Sequence, residues 1–257
     1  MGLKDQMGRD IALGAKPKRI VSLVPSQTQL LADLGLDKEV VGITKFCVHP
    51  RGWRRNKTVI GGTKDPKIDL IKSLNPDFII ANKEENNRKD IEQLIAVCPV
   101  YVSDVKTLDD NLSMIEDLGE ICDTKKAASK LISDIKTAFT TLSPSPNNRP
   151  RVLYFIWKNP WMVAGNDTFI HQMLNACGME NVIDQGRYPE IDEATIKALD
   201  PDYVFLSSEP FPFKAKHLQE LHRLAPNAVI QLVNGEYFSW YGSMVKHSPA
   251  YFRGLRS

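Results

Sequence analysis

The sequence lacks the features that mark membrane proteins and secreted proteins. No stretch of its 257 residues approaches the roughly 20 consecutive apolar residues of a membrane-spanning helix. The N-terminal segment, MGLKDQMGRDIALGAKPKRI, has no apolar core of the kind found in secretory signals. We therefore expect no membrane span. We also expect a cytoplasmic location for the chain as it stands, or a periplasmic one if an export segment has been removed.

The sequence also lacks a strong excess of charge and the common catalytic motifs. The net charge is +2 at pH 7, and no run of Lys and Arg is longer than two residues. This balance does not indicate a nucleic-acid partner. The GxSxG, P-loop and GxGxxG motifs are all missing from the sequence. We expect a monomeric protein that is not an enzyme and carries no covalent cofactor.

Cysteine is scarce and shows no pairing pattern. The four cysteines, Cys47, Cys98, Cys122 and Cys177, have no CxxC spacing and lie in or beside apolar runs. Metal sites and disulfide frameworks usually show regular spacings. We expect four reduced thiols, most of them buried.

What the sequence does contain is a regular alternation of strand and helix signals. Short β-branched runs such as RIVSLV and VVGIT alternate with amphipathic helical segments. This alternation is typical of βαβ units around a mainly parallel sheet. The fold class predicted is therefore α/β, with two Rossmann-like lobes whose sheets are mainly parallel, joined by one long backbone helix.

The predicted backbone helix covers residues 123–142, where apolar residues recur at helical spacing. It is followed by SPSPNNRP (143–150), a polar, proline-rich break that indicates a boundary. The predicted organisation is an N-terminal lobe over residues 1–122, the helix, the linker and a C-terminal lobe over residues 151–257.

An internal repeat relates the two lobes. IKSLNPDFII (71–80) matches IKALDPDYVF (196–205), 125 positions later, and RIVSL (19–23) matches RVLYF (151–155). A duplicated βαβ lobe is the economical explanation. In open parallel sheets, ligands bind beyond the carboxyl ends of the strands. The loops that follow the strands are therefore the candidate site.

Two glutamates occupy matching positions in these loops. Glu84 follows the strand FIIA, and Glu209 lies 125 positions later in SSEPFPF. They are either solvated loop residues or a pair that faces a cleft between the lobes and meets a cation, a metal centre or the donors of a ligand. Glu85, next to Glu84, is a further candidate, although it has no counterpart in the second copy.

Three other positions at strand ends could meet a ligand or a metal. His49, two residues from Cys47, follows the second strand and could be an axial ligand of a metallo-cofactor, or an ordinary surface histidine. Cys47 and His49 with Glu84 or Glu85 could form a metal site, although no HxxxH or CxxC spacing supports one. Ser26, in PSQT after the first strand, is a predicted N-cap at a helix start whose amides could hold an anion.

Two loops of the second half are rich in large aromatic residues. WKNPWM contains Trp157 and Trp161, and GEYFSWYGSM contains Tyr237, Phe238, Trp240 and Tyr241. A strand cannot bury four aromatic side chains out of five residues, so the second segment is predicted to be a loop that presents rings. The rings either pack the protein itself or form a wall for a flat, bulky ligand.

Together these motifs resemble a known family. KPKRIVSLVPSQTQLLADLGL (16–36), VVGIT (40–44), the NPD and DPD strand starts and the central helix are similar to the substrate-binding proteins of ABC importers for iron-siderophores, haem and cobalamin. The similarity covers nearly the whole chain and is strongest to the cobalamin-binding branch and the helical-backbone metal receptors. It implies a corrinoid, haem or ferric chelate as the bound ligand.

The resemblance also implies one surface carboxylate per lobe that docks to an ABC permease. The matching positions are Asp69 in the first lobe and, in the second, Glu193 beside Ala194. The sequence departs from the family at Gln29, where an acidic residue is common, and in its lack of an export signal. Two alternatives follow: a cytosolic enzyme with Glu84 and Glu209 as acid and base, or an interaction module without a ligand.

Overall fold

The computed structural model describes residues 3–142 and 149–255. The β-strands, in chain order, are β1 (Leu3–Lys4), β2 (Asp10–Ile11), β3 (Ile20–Ser22), β4 (Val40–Ile43), β5 (Thr58–Val59), β6 (Phe78–Asn82), β7 (Val100–Ser103), β8 (Arg151–Trp157), β9 (Trp161–Val163), β10 (Glu180–Asn181), β11 (Glu190–Ile191), β12 (Tyr203–Ser207) and β13 (Val229–Val233).

The helices alternate with these strands. They are α1 (Pro25–Asp33), α2 (Trp53–Asn56), α3 (Ile68–Ser73), α4 (Arg88–Ile95), α5 (Leu108–Ile121), α6 (Lys125–Thr140), α7 (Phe169–Ala176), α8 (Glu193–Leu199), α9 (Ala215–Leu224), α10 (Glu236–Ser239) and α11 (Ser248–Gly254), with a 3-10 helix at Ser243–His247.

The first sheet has five parallel strands in the order β5-β4-β3-β6-β7. Every residue of β3, β6 and β7 is buried. This pattern is expected of parallel strands covered on both faces, whose sequences are continuous apolar runs. The predicted parallel α/β arrangement of the first half is confirmed.

The second sheet follows the order β11-β9-β8-β12-β13, with β10 also paired to β8. Strands β8, β10, β12 and β13 are parallel. Strands β9 and β11 join antiparallel. The prediction of a mainly parallel sheet is confirmed, and the short antiparallel addition is a feature that the sequence patterns did not indicate.

Contacts divide the chain into two compact units. Unit 1 contains residues 1–105, 109–135 and 241–244, and unit 2 contains residues 106–108, 136–240 and 245–257. The chain passes from unit 1 into unit 2 within α6, which has 16 residues and is the predicted backbone helix. The predicted linker lies mostly in residues 143–148, outside the described residues.

The internal repeat is visible as the same local structure in each unit. In unit 1 the Asp77 carboxylate accepts hydrogen bonds from the backbone N–H groups of Lys18 and Arg19, each at 2.8 Å, just before β3. In unit 2 the Asp202 carboxylate accepts one from the N–H of Arg151, the first residue of β8, at 2.7 Å. The NPD and DPD motifs thus hydrogen-bond the start of one strand to the start of its neighbour, β6 to β3 in unit 1 and β12 to β8 in unit 2.

Two local expectations differ from the structure. Ser26 is not the N-cap of α1, because the helix begins at Pro25 and its N-cap is Val24, two residues before the predicted one. Proline suits this first position since its missing N–H would have no partner there. The segment YFSWY is not a plain loop, because Glu236–Ser239 form the short helix α10.

Among the residues that the structure describes, none belongs to a helix that is both long enough and apolar enough to cross a bilayer.

Candidate functional site

The loop after β6 is shaped by two asparagine side chains. The Asn82 side-chain oxygen accepts hydrogen bonds from the backbone N–H groups of Glu84 (2.8 Å) and Glu85 (3.0 Å). The Asn86 side-chain oxygen accepts one from the N–H of Asn82, at 2.9 Å, and its amide donates to the carbonyl of Thr63, also at 2.9 Å. Asparagine is suited to such turns because its short side chain reaches its own backbone. The positions of both glutamates are therefore fixed by the sequence around them.

Tyr241 joins this loop from the far end of the chain. Its side chain is 7% exposed. Its hydroxyl lies near Ser26, at the start of α1, and near Ser103, at the end of β7. Burial and the negative charges of Glu85 and Glu84 raise the pKa of Tyr241 well above its usual range, against the effect of the two serines. The phenol is therefore neutral near pH 7.

Unit 1 thus brings together four of the residues predicted from sequence: Ser26, Glu84, Glu85 and Tyr241. We refer to these four residues as the unit 1 cluster. Loss of water around its carboxyl raises the pKa of Glu85, although Lys64 opposes this effect. The cluster offers carboxylate oxygens and one neutral phenol, which can accept hydrogen bonds from a ligand or neutralise a cation.

A second group of polar side chains lies under the loop after β4. The Thr28 hydroxyl donates to the Ser22 hydroxyl at 2.8 Å and lies 3.1 Å from the Cys47 sulfur, and Thr44 lies 3.3 Å from the same sulfur. Burial raises the pKa of the Cys47 thiol. Cys47 is fully buried and packs between the hydroxyls of Thr28 and Thr44.

The structure limits the ways in which a metal could bind. Within residues 3–142 and 149–255, no three His, Cys, Asp or Glu side chains are grouped closely enough to hold a metal ion. The site considered from sequence, with Cys47, His49 and Glu84 or Glu85 as joint ligands, is therefore not formed. A single axial bond from His49 to the metal of a larger ligand requires no such group, and it stays a prediction.

In unit 2 the loop after β12 repeats the arrangement around Glu84. Ser207 occupies the position that matches Asn82. Its hydroxyl donates to the carbonyl of Glu209 at 2.5 Å, and its oxygen lies 3.3 Å from the Glu209 nitrogen. The Glu209 carboxylate accepts a hydrogen bond from the Ser239 hydroxyl of α10, at 2.8 Å. A Cβ added at Gly235 would lie 2.3 Å from the Ser207 oxygen, so this close approach requires glycine.

The aromatic residues of unit 2 fall into two groups. Trp157 is 40% exposed and packs edge-on against Phe211, with the ring centroids 5.6 Å apart. Tyr237 instead stacks on Tyr251, with centroids 4.3 Å apart. Trp161 is stacked on Phe213, and Trp240 is only 9% exposed. Of the predicted aromatic wall, Trp157 therefore has the most ring surface available to a ligand.

The two predicted docking carboxylates occupy similar places in their own units. Asp69 lies in the first turn of α3, and its side chain is fully exposed. Glu193 is the first residue of α8, next to the N-cap Asp192. Negative charge is favoured in the first turn of a helix. Each carboxylate is thus compatible with the helix that carries it and is accessible at the surface.

Comparison with known proteins identifies the family. A profile of the periplasmic binding protein family matches residues 20–227. The chain therefore belongs to the periplasmic binding protein family, and the family predicted from sequence is confirmed.

Individual relatives have low sequence identity to this chain, but the alignments cover most of its length. The uncharacterized ABC transporter substrate-binding lipoprotein YvrC of Bacillus subtilis (strain 168) is 26% identical over 213 residues, which span 79% of this chain and 67% of YvrC. A vitamin B12-binding protein of Vibrio parahaemolyticus is 26% identical over 195 residues, which span 74% of this chain and 70% of its own.

A solved structure confirms the fold over almost the full length. The periplasmic heme-binding protein RhuT from Roseiflexus sp. RS-1, in its apo form, superposes with a TM-score of 0.81 at 19% sequence identity. The match covers 95% of this chain and 100% of that chain. At this identity the likeness establishes the fold and leaves the ligand open.

Proposed function

We propose that this protein is a substrate-binding protein of the ABC-importer type that holds a bulky metallo-ligand: a corrinoid, a haem or a ferric chelate. The observation that carries the proposal is membership of the periplasmic binding protein family, together with glutamates held at matching strand ends in the two units. Relatives named for vitamin B12 and for heme support this choice of ligand class.

The proposed ligand contacts follow the strand-end loops. In unit 1 they are His49 and the unit 1 cluster, where carboxylates can accept hydrogen bonds from a ligand. In unit 2 they are Glu209 and the aromatic side chains, of which Trp157 is the most exposed. The pairing of Glu84 with Glu209 across a cleft stays a prediction. The enzyme alternative has no support from the family, whose members bind solutes.

A spectroscopic titration tests the proposal. Purified protein is titrated with cyanocobalamin, haemin and a ferric-siderophore, while ligand absorbance and tryptophan fluorescence are recorded. We expect saturable binding of at least one of the three, accompanied by quenching of tryptophan fluorescence. A lack of response to all three would exclude a metallo-ligand.

Variants locate the site. Glu84→Gln and Glu209→Gln are each expected to weaken binding of the responding ligand by about tenfold, the effect of losing one charge-assisted hydrogen bond. Glu116→Gln, an exposed glutamate on α5, is the matched control and should leave affinity unchanged. Equal affinity in all three variants would place the ligand elsewhere on the molecule.

Docking to a permease is proposed for Asp69 and Glu193. The charge reversals Asp69→Lys and Glu193→Lys should leave ligand affinity intact, because neither residue belongs to the strand-end loops. They should abolish uptake of the ligand by cells that depend on this protein. Unchanged uptake by the double variant would rule out docking through these residues.

A further inference from the structure

Positive charge is concentrated in one segment of unit 1. Residues 40–64 contain six basic residues and no Asp or Glu, although the whole chain carries a net charge of only +2. The six are Lys45, Arg51, Arg54, Arg55, Lys57 and Lys64. The segment leaves the carboxyl end of β4, the same edge of the sheet from which the loop of Glu84 projects.

The arginines are displayed by a well-anchored turn. Gly52 has a φ of 95°, a backbone conformation that favours glycine, and α2 follows it. The turn is closed by the N–H of Arg55 donating to the carbonyl of Gly52 at 2.9 Å, and by the N–H of Lys57 donating to that of Trp53 at 2.8 Å. Trp53 is 8% exposed and anchors the turn in the protein, whereas Arg54 and Arg55 are exposed.

The charge of this turn is not neutralised by the protein. Lys45 and Lys57 have carboxylate partners, Asp65 and Asp37, each at 3.4 Å. Over the described ranges 3–142 and 149–255, however, the side chains of Arg51, Arg54 and Arg55 make no salt bridge or hydrogen bond. Six other arginines do have such partners, namely Arg9, Arg19, Arg88, Arg149, Arg151 and Arg253.

Apolar surface lies beside these guanidinium groups. An open surface pocket of about 760 Å³ is lined by Val48, Arg51, Gly52, Arg54, Arg55 and Val59. Val48 is 47% exposed, and Phe46, two residues earlier, is 52% exposed. Small-molecule pockets have volumes of roughly 300–1,000 Å³. A pocket of this size suits one compact molecule and is too small for the extended basic face that a nucleic acid requires.

We propose that this arginine pocket binds carboxylate groups attached to an apolar body. The planar guanidinium group pairs with such anions through two parallel N–H···O bonds, and Val48 and Phe46 can cover an adjoining apolar surface. This inference rests on the proposed function and narrows the class of ligand. The metallo-ligand is one with carboxylates at its rim, such as a porphyrin with free propionates, and not a cobalamin, whose rim carries neutral amides and whose acidic group is a single phosphodiester.

A pair of ligands that differ only in their acidic groups tests the inference. Haemin and its dimethyl ester have the same ring and metal, but the ester has no free carboxylate. We expect the wild-type protein to bind haemin at least about tenfold more tightly than the ester, and this ratio to shrink as salt screens the arginines.

Matched variants assign the effect to the pocket. The triple variant Arg51→Gln, Arg54→Gln, Arg55→Gln should bind haemin about tenfold more weakly and bind the ester as the wild type does. The control removes the same charge from exposed lysines outside the segment, by Lys89→Gln, Lys126→Gln and Lys216→Gln, and should behave as the wild type. Far-UV circular dichroism and the Tm confirm folding, and the three single variants are measured if the triple variant does not fold.

The outcomes separate this inference from the proposed function. Equal affinity for haemin and its ester, unchanged haemin affinity in the arginine variants, or binding of cyanocobalamin without binding of haemin would each overturn the arginine pocket and leave the metallo-ligand proposal standing. Failure to bind haemin, cyanocobalamin and a ferric-siderophore alike would overturn the proposed function and the inference together.

Discussion

Asp77 and Asp202 show how one side chain can organise the edge of a sheet. Each immediately precedes an interior strand, β6 or β12, and its carboxylate accepts hydrogen bonds from backbone N–H groups at or just before the start of the neighbouring strand. The residues two positions earlier, Asn75 and Asp200, both have a positive φ, 46° and 38°. Asn and Asp tolerate this conformation better than other non-glycine residues. Each residue of the repeated NPD or DPD motif therefore has its own role. The first adopts a left-handed conformation, the proline restricts the backbone, and the final aspartate accepts hydrogen bonds from the neighbouring strand.

Removing this acceptor should destabilise either unit. We expect Asp77→Ala and Asp202→Ala each to lower the free energy of unfolding by about 1–3 kcal/mol, because backbone N–H groups lose a charged partner. Chemical denaturation measures the change. Asp184→Ala, an exposed position, is the control, and a loss no larger than that of the control would show that water replaces the carboxylate without cost.

Cys122 provides a prediction for alkaline pH. Burial raises the pKa of its thiol from 9.0 to about 12. The folded protein keeps the proton where the unfolded chain releases it, so this contribution to stability is complete below pH 9 and is lost as the pH rises towards 12. The wild type should therefore lose stability more steeply than Cys122→Ala over this range, as measured by denaturation at a series of pH values. Parallel pH curves for the two proteins would contradict the prediction.

At the scale of elements, helices α5 and α6 meet at a contact that requires glycine. A Cβ added at Gly119 would lie 2.4 Å from the Cβ of Ala128, far closer than two carbon atoms can approach. The close packing of α5 on α6 at this position therefore depends on the lack of a side chain.

Substitution of this glycine should disturb the helix pair. Gly119→Ala is expected to lower the free energy of unfolding by about 1–3 kcal/mol, since overpacking forces the backbone to shift. Gly254→Ala is the matched control, because an added Cβ there has no atom within 4 Å, and it should be neutral or slightly stabilising. Thermal unfolding compares the two, and equal Tm values would show that α5 and α6 can separate at no cost.

Much of the fold was predictable because its elements follow simple periodicities. Buried parallel strands such as β6 and β12 are apolar runs, and α6 has a clear helical spacing. The short strands β9 and β11 were missed because two or three residues are too few to show alternation. The helix α10 was missed because four aromatic residues dominate the segment, and aromatic residues favour strands more than helices.

The candidate site was predictable only in part. Glu84 and Glu209 could be located by the internal repeat, and the structure holds both in turns made by the preceding Asn82 and Ser207. The contact of Tyr241 with Ser26 and Ser103 joins residues more than a hundred positions apart, and no local pattern indicates it. The arginine pocket could have been found in the sequence, because segment 40–64 contains no Asp or Glu. The small net charge of the whole chain does not reveal this local excess of positive charge.

At the scale of the whole molecule, a short segment near the C-terminus belongs to unit 1 although its sequence neighbours belong to unit 2. Asn111 holds this segment, residues 241–244. Its side-chain amide donates to the carbonyl of Gly242 at 3.3 Å, and its side-chain oxygen accepts from the N–H of the same residue. Gly242 has a φ of 90°, and its backbone runs close to Leu30 and Ser26 of α1.

Loss of this anchor should release the segment. We expect Asn111→Ala to lower the free energy of unfolding by about 1–3 kcal/mol, because two buried backbone groups lose their partners. Hydrogen exchange at residues 241–244 should become faster than in the wild type. Asn227→Ala, at an exposed position, is the control. Unaltered exchange in the Asn111 variant would mean that Tyr241 alone holds the segment.

The divided membership of unit 1 has a consequence for how the protein is made. Many multidomain chains fold from the N-terminus while the ribosome is still working. Here unit 1, which contains β3, lacks Tyr241 until almost all of unit 2 has also been synthesised. Unit 1 can therefore take up its segment 241–244, and with it the Tyr241 hydroxyl, only after residues 136–240 have been made.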